Sequence, residues 1–162
     1  MFVTPPPDPV QIVAGLQSQS GEFARGFRPA GTKDWLLVAT LGGLGYVRVK
    51  ETRQVLRQGD LLLYAPDTPQ DYGYLEDDGK WTNIWVHVRP RPLWAPWVQW
   101  PMKTKGVMFL TTGEAFVPIE ADLRRLIEAA VQTTRLRHDL AMNAFERVLA
   151  VKGSLSCTVT NG

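Results

Sequence analysis

Five of the six tryptophans of this chain fall between Lys80 and Pro101, and the first part of that stretch alternates with a period of two. In an extended strand, such alternation sends neighbouring side chains to opposite faces. The apolar face, typical of a strand buried against another layer, would carry Thr82, Ile84, Val86 and Val88. The other face would carry Trp81, Asn83, Trp85 and His87. Rings interleaved with an amide and an imidazole suit a small polar ligand with apolar patches, such as a sugar, but an aromatic-rich sheet edge or interface would show the same pattern.

Length and composition set the limits for the rest of the chain. At 162 residues and 44% hydrophobic content, it can build one well-buried domain. The net charge of +2 comes from scattered basic residues, which does not indicate a nucleic-acid surface. The single cysteine, Cys157, excludes an internal disulfide, and no basic leader or long apolar run occurs. These features predict a soluble cytoplasmic protein.

The N-terminal residues 1–9 contain four prolines, including the consecutive Pro5, Pro6 and Pro7. Proline fixes φ and lacks a backbone donor, so this segment is predicted to be an extended arm and not a helix. Whether such an arm is disordered or lies across the domain stays open at this point.

Residues 10–115 show short β-prone runs separated by Gly, Pro and Asp turns, which is typical of a sandwich or barrel. We predict a hairpin in which 35–41 pairs with 44–50 across the turn Gly42-Gly43, because glycine supplies the positive φ of a two-residue turn. The other predicted strands, besides the tryptophan strand, are 10–16, 23–27, 53–56, 61–66, 70–75 and 107–110.

Residues 116–152 have a helical pattern, and residues 153–162 have no periodicity and read as a tail. Pro118 suits a first helical turn, and apolar residues recur behind it at helical spacing. A second helix is predicted from about Arg137 to Val151, where apolar residues form more than one stripe. Two explanations fit: the helix packs between the sheet and the first helix, or one of its faces meets a second subunit.

This order of elements resembles a cupin, a jelly-roll barrel (double-stranded β-helix), here followed by two C-terminal α-helices. Gly59-Asp60, leading into an apolar strand that ends at Pro66, is similar to a turn between cupin strands. Metal-dependent cupins need several histidines and a glutamate on their strands, but this chain has only His87 and His138. The resemblance therefore implies a cupin without a metal or other cofactor.

Longer segments resemble the N-terminal effector domain of AraC-type transcription regulators. They are 28–33, 66–73 and above all 81–101, and the similarity extends from about Val13 to Lys152. Two runs are particularly specific: Trp85-Val86-His87-Val88-Arg89-Pro90-Arg91 and Trp94-Ala95-Pro96-Trp97-Val98-Gln99-Trp100-Pro101. In that family the barrel binds a sugar, the helices mediate dimerisation, and a helix-turn-helix domain follows. Nothing after Lys152 matches such a domain, so DNA binding is expected only through a domain not present in this chain.

The resemblance also implies a set of ligand-binding residues. Arg28 matches the sugar-binding arginine, Tyr72 a tyrosine whose hydroxyl contacts sugar, and Trp85 the indole on which the sugar stacks. Asn83 stands where the family has histidine, and Gln17 aligns with a threonine that contacts the ligand. His87 shares the face of Asn83 and Trp85 and is expected to line the floor of the pocket, unless it is an ordinary core histidine.

Two further roles follow from the resemblance. The arm with Pro5, Pro6 and Pro7 is expected to fold over the occupied pocket. The second helix is expected to form a homodimer through Leu140, Asn143, Phe145 and Leu149. The implied function is that of a sugar-sensing and dimerisation domain for L-arabinose or a related monosaccharide, and not an enzyme; the alternatives are a metal-independent cupin isomerase or epimerase and a simple carbohydrate-binding module.

Overall fold

The computed structural model of the protein describes residues 11–19, 25–75 and 79–155. The predicted arm, residues 1–9 with Pro5, Pro6 and Pro7, lies outside the described residues. Of the predicted tail, only residues 153–155 are described, and they continue the last helix, which ends at Leu155 instead of Val151.

The described chain forms two antiparallel sheets followed by two helices. In chain order the strands are β1 (Ile12–Gln19), β2 (Arg25–Arg28), β3 (Trp35–Gly42), β4 (Gly45–Val49), β5 (Thr52–Leu56), β6 (Asp60–Tyr64), β7 (Gln70–Tyr74), β8 (Trp81–Val88), β9 (Met102–Thr104) and β10 (Val107–Thr111). The larger sheet has the order β1-β8-β3-β6-β10-β9, and the smaller sheet has the order β2-β7-β4-β5. This is the predicted cupin-like jelly roll followed by two C-terminal helices.

The predicted hairpin across Gly42-Gly43 is wrong. Both strands exist, but β3 pairs with β6 and β8 in the larger sheet, whereas β4 pairs with β5 and β7 in the smaller one. Gly43 has a positive φ of 68°, and a Cβ there would overlap the carbonyl of Lys80. Gly43 therefore lets the chain cross from one sheet to the other beside Lys80.

Strand β8 confirms the predicted alternation and separates two cores. Ile84, Val86 and Val88 are buried in the cluster that includes both helices. Trp81 is buried on the opposite side, in a cluster to which both sheets contribute, and Trp85 packs against that second cluster. The molecule thus has three layers, in which the helices cover one face of the larger sheet and the smaller sheet covers the other.

Helices α1 (Phe116–Ala130) and α2 (Arg137–Leu155) pack on each other and on the larger sheet. A 3-10 helix, Pro92–Val98, follows β8 and fixes α2 at a third surface. There the Trp94 indole Nε1 donates to Glu146 at 2.8 Å, and its ring lies 5.5 Å from that of Phe145. Among the described helices, none is long and apolar enough to cross a membrane.

The four residues predicted for dimerisation lie on different faces of α2. Leu140 is 44% exposed, and Asn143 is exposed with its side-chain oxygen accepting from Arg91 Nη1 at 3.0 Å. Phe145 and Leu149 are 1% and 0% exposed, inside the core of the same subunit. A partner helix could contact Leu140 and Asn143. It could not contact Phe145 and Leu149, because these two lie on the stripe that packs on the sheet and α1.

Phe145→Ala is expected to lower the free energy of unfolding by about 3–5 kcal/mol, because it leaves a cavity between α2 and Trp94. Leu140→Ala, on the exposed face of the same helix, should change it by no more than about 0.5 kcal/mol. Urea denaturation at a protein concentration that keeps the chain monomeric measures both. Equal losses in the two variants would contradict this assignment of core and surface.

Candidate functional site

A cavity of about 710 Å³ opens between the two sheets, at the edge where β1 and β8 face β2 and β7. Its lining consists of Val13, Leu16, Gln17, Arg28, Asp34, Tyr72, Trp85 and His87. Five of the six predicted ligand residues are therefore together in one cavity. The volume lies within the usual range of small-molecule sites, and the lining combines apolar faces with convergent polar groups.

Arg28, at the end of β2, is held by neutral partners. Its Nη1 donates to Gln70 Oε1 at 3.1 Å and to the Tyr72 hydroxyl at 3.3 Å. The Gln70 side chain is almost fully buried and is fixed in turn by donating to Thr32 Oγ1 at 3.2 Å. Among the described residues Arg28 makes no ion pair, so its charge and remaining donors are available to ligand oxygens in the cavity.

The rings of Trp85 and Tyr72 lie against glycines in neighbouring strands. Gly15 pairs with Trp85, and a Cβ on Gly15 would lie only 2.5 Å from Cζ2 of the indole. Gly26 pairs with Tyr72, and a Cβ there would overlap the phenol ring. The two glycines thus set the positions of both aromatic walls, which is a common reason for glycine inside a strand.

Asn83 does not line the cavity, in contrast to its predicted role. It shares the face of Trp85 but lies deeper between β1 and β3, where it is 3% exposed. Trp81 is also structural, because its Nε1 donates to the buried Thr40 hydroxyl at 3.2 Å and its ring meets Tyr72 edge-on. Of the predicted aromatic and amide face, only Trp85 and His87 therefore reach the cavity.

Asp71 directly precedes Tyr72 on β7. Its carboxylate is paired with two arginine side chains, so it is not free to bind a metal ion. It accepts from Arg25 and Arg48 at 3.0–3.1 Å and from the Tyr46 hydroxyl at 3.1 Å. Burial opposes ionisation of Asp71, but these hydrogen bonds outweigh it and hold the pKa of its carboxyl below the usual value. Within the described part of the chain, no three His, Cys, Asp or Glu side chains could hold a metal ion together.

A larger groove of about 1000 Å³ lies elsewhere, beside the 3-10 helix. Prolines, alanines and methionines make up much of its wall, together with Trp35 and Trp100, and Asp67, Thr68, Arg91, Gln99 and Lys105 also line it. Polar groups that fix the orientation of a small ligand are what distinguish a specific site. Such groups form a larger share of the lining in the smaller cavity, which is therefore the better candidate.

Three contributors to the site were missed from the sequence. Gln70 could have been found, since it lies two residues before Tyr72 and shares its face of β7. Gly15 carried a weak signal as a glycine inside a β-prone run. Asp34, whose Oδ1 lies 3.0 Å from Nδ1 of His87, gave none, because it precedes β3 in a turn and meets β8 only through sheet pairing.

Comparison with known proteins gives the chain its family. Residues 18–145 match the AraC-like ligand binding domain. The arabinose operon regulatory protein of Escherichia coli (strain K12) is 34% identical over 142 residues, which are 85% of this chain and 49% of that protein. Its counterpart from Salmonella typhimurium is 33% identical over the same share of this chain and 50% of its own length. The chain thus spans about half the length of these relatives.

Two solved structures have the same fold at low identity. Apo ToxT, a variant from Vibrio cholerae strain SCE256, gives a TM-score of 0.62 at 8% identity over 90% of this chain and 57% of ToxT. Wild-type ToxT with bound unsaturated fatty acid gives 0.54 at 8% identity over 90% of this chain and 56% of ToxT. These two structures share the fold alone, whereas the family match over residues 18–145 and the 33–34% identical relatives show that the chain belongs to the AraC-like ligand-binding domain family.

Proposed function

We propose that this domain binds a monosaccharide, L-arabinose or a related sugar, in the cavity between β1, β2, β7 and β8. The single observation that carries the proposal is that Arg28, held only by neutral partners among the described residues, lines the same cavity as the Trp85 ring. An indole offers a face to the C–H side of a sugar ring, while a guanidinium donates to its oxygens. The names of the 33–34% identical relatives support the same ligand class.

The polar lining favours a sugar over the fatty acid named for the ToxT structure. Gln17, Arg28, Asp34 and His87 all line the cavity. A long hydrocarbon chain would shield these polar groups from water without bonding to their remaining donors and acceptors, and this would cost binding free energy. A monosaccharide with several hydroxyls satisfies them and would bind at roughly 0.1 to 10 mM, about 3 to 5.5 kcal/mol.

The domain would act as the sensor of a cytoplasmic transcription regulator, with DNA bound by a part of the parent protein outside this chain. The N-terminal arm would cover the occupied cavity. The carbonyl of Gln11, the first described residue, accepts from the Arg89 amide at 2.8 Å, and Val13 already lines the cavity. The chain therefore enters the domain at the cavity rim. A coupling of about 1–3 kcal/mol between arm and sugar would change relative affinities about 5- to 150-fold.

A second candidate function is a metal-independent sugar isomerase or epimerase. Such an enzyme needs an acid–base pair, and Asp34 and His87 form one on the cavity wall. Incubation of the protein with each candidate sugar, followed by NMR of the sugar, separates the two functions. Product formation that disappears in His87→Phe identifies an enzyme, and an unchanged spectrum with saturable binding identifies a sensor.

Calorimetric titration with L-arabinose, D-xylose, D-galactose and L-rhamnose is expected to give saturable binding to at least one of them. Arg28→Ala should weaken it at least about tenfold, since hydrogen bonds to charged groups contribute about 1.5–3 kcal/mol. Trp85→Ala should weaken it comparably through loss of the stacking face. Gly15→Ala should also weaken it, because the added methyl group displaces the Trp85 ring.

Arg57→Ala provides the matched control, because Arg57 is exposed and does not line the cavity. It should bind the sugar as tightly as the unaltered protein. Heat denaturation of every variant checks that the fold is retained. Absence of binding to all four sugars, or full affinity in both Arg28→Ala and Trp85→Ala, would contradict the proposed site.

Removal of residues 1–9 tests the covering role of the arm. The shortened protein should retain the cavity but bind the preferred sugar about 5-fold or more weakly, since the arm no longer contributes to the closed state. The same titration measures the difference. An unchanged dissociation constant would show that the arm has no part in binding.

We further infer a weak homodimer through the exposed face of α2, formed by Leu140, Asn143, Arg147 and Ala150. Only one of these residues is large and apolar, so little area is available for a tight interface. Sedimentation equilibrium at high micromolar concentration should show a monomer–dimer equilibrium that Leu140→Lys shifts to monomer. Val117→Lys, an exposed change on α1, should not shift it. Monomer alone in the unaltered protein would argue against this interface.

A further inference from the structure

Asp34 and His87 form a hydrogen-bonded pair on the cavity wall whose part in ligand binding has not been assigned above. Asp34 Oδ1 lies 3.0 Å from His87 Nδ1, and the side chains are 30% and 20% exposed. Asp34 directly precedes β3, and His87 pairs with Leu36 of that strand. The pairing of β3 with β8 therefore holds the two side chains together.

The bond to Asp34 determines which ring nitrogen of His87 carries the proton. An ionised carboxylate can only accept hydrogen bonds, so Nδ1 must be the donor. In a neutral imidazole, the other nitrogen, Nε2, is then an acceptor. A carboxylate behind an imidazole fixes the tautomer and orientation of the ring in the same way at many metal sites.

The second ring nitrogen of His87 is available to a ligand in the cavity. Nε2 has no hydrogen-bond partner among the described residues. The His87 side chain is 20% exposed and lines the cavity, so a ligand there can reach the imidazole.

Arg28 and the Asp34–His87 pair, on two sides of the cavity, therefore favour different ligand groups. Arg28 is a donor only and suits any ligand oxygen, whether it carries a proton or not. While its imidazole is neutral, His87 accepts at Nε2 and suits a group that can donate. A carboxylate or ether oxygen at that position would meet a lone pair and a nearby negative charge.

Resting on the proposed sugar-binding function, we propose that His87 is a specificity-determining residue whose Nε2 accepts a hydrogen bond from one ligand hydroxyl, and that Asp34 is the positioning residue that fixes its tautomer. The preferred ligand is a neutral polyol with a free hydroxyl at this position. Deoxy and O-methyl analogues altered at that carbon, and sugar acids with a carboxylate there, are discriminated against.

The tautomer is tested first, without a ligand, by NMR of the ring nitrogens in ¹⁵N-labelled protein at about pH 8, where imidazoles are commonly neutral. The chain contains only two histidines, so His138→Gln assigns the signals of His87. His87 is expected to be protonated at Nδ1 alone. In Asp34→Asn, the amide can donate to Nδ1, so the proton should move to Nε2. A proton on Nε2 in the unaltered protein would overturn the proposal.

Ligand choice is tested by calorimetry with whichever of L-arabinose, D-xylose, D-galactose and L-rhamnose binds, together with its monodeoxy analogues. His87→Phe keeps a ring of similar size but has no acceptor, and should weaken binding about 3- to 10-fold. One monodeoxy analogue should bind the unaltered protein more weakly than the parent sugar does, by a similar factor. To the His87→Phe variant, that analogue and the parent sugar should bind equally well. Asp34→Asn should weaken the parent sugar more than that analogue. His138→Gln should leave affinity unchanged.

The outcomes separate this proposal from the proposed function. If a sugar binds in an Arg28-dependent manner but His87→Phe lowers the affinity for every analogue by the same factor, the specificity role is wrong and the sugar site stands. If none of the four sugars binds the unaltered protein, both are wrong. Variants that bind nothing but melt at the normal temperature, with a normal amide spectrum, support a role in binding rather than folding.

Discussion

Hydrogen bonding of β8 to β1 on one side and to β3 on the other is the constraint on which the rest of the structure depends. Side chains alternate along a strand, so a shift of one residue in either register would exchange the two faces of β8. The indoles of Trp81 and Trp85 would then meet the helices, and Ile84 and Val86 would fill the cavity. The burial of Ile84, Val86 and Val88 beneath the helices fixes the register strongly. The ligand cavity is therefore a consequence of the packing on the far side of the same strand.

Much of the fold could be predicted from local sequence, because the strands and helices follow hydrophobic periods and turn residues. The alternation of β8 and the helical pattern of α1 and α2 are examples. The pairing of β3 with β4 was predicted wrongly, because a Gly-Gly turn between two β-prone runs fits both a hairpin and a crossing between sheets. Only the partner strands decide between them, and β3 finds β6 and β8 far away in sequence. The 3-10 helix at Pro92–Val98 was missed, because it is stabilised by tertiary contacts such as Trp94 with Glu146.

The site could be predicted largely through the resemblance to a family, and less through the residues alone. Periodicity by itself places Asn83 and Trp85 on the same face of β8, but Asn83 is 3% exposed and only Trp85 lines the cavity, which depends on how the two sheets pack. The dimer residues illustrate the same limit, since Phe145 and Leu140 are both apolar positions of one helix and only the packing of α2 shows which is exposed. Asp34 depends on the β3–β8 register and has no local signature.

The walls of the cavity differ in how firmly each is built into the molecule. Trp85 and His87 project from an interior strand with neighbours on both sides, whereas Gln17 and Arg28 project from β1 and β2, the outermost strands of their sheets. An outermost strand can change length or sequence without disturbing a second neighbour. Within this family, changes in ligand preference should thus accumulate on the β1–β2 side, while the rings on β8 are retained. Engineers who wish to change the ligand of such a domain would begin their libraries there.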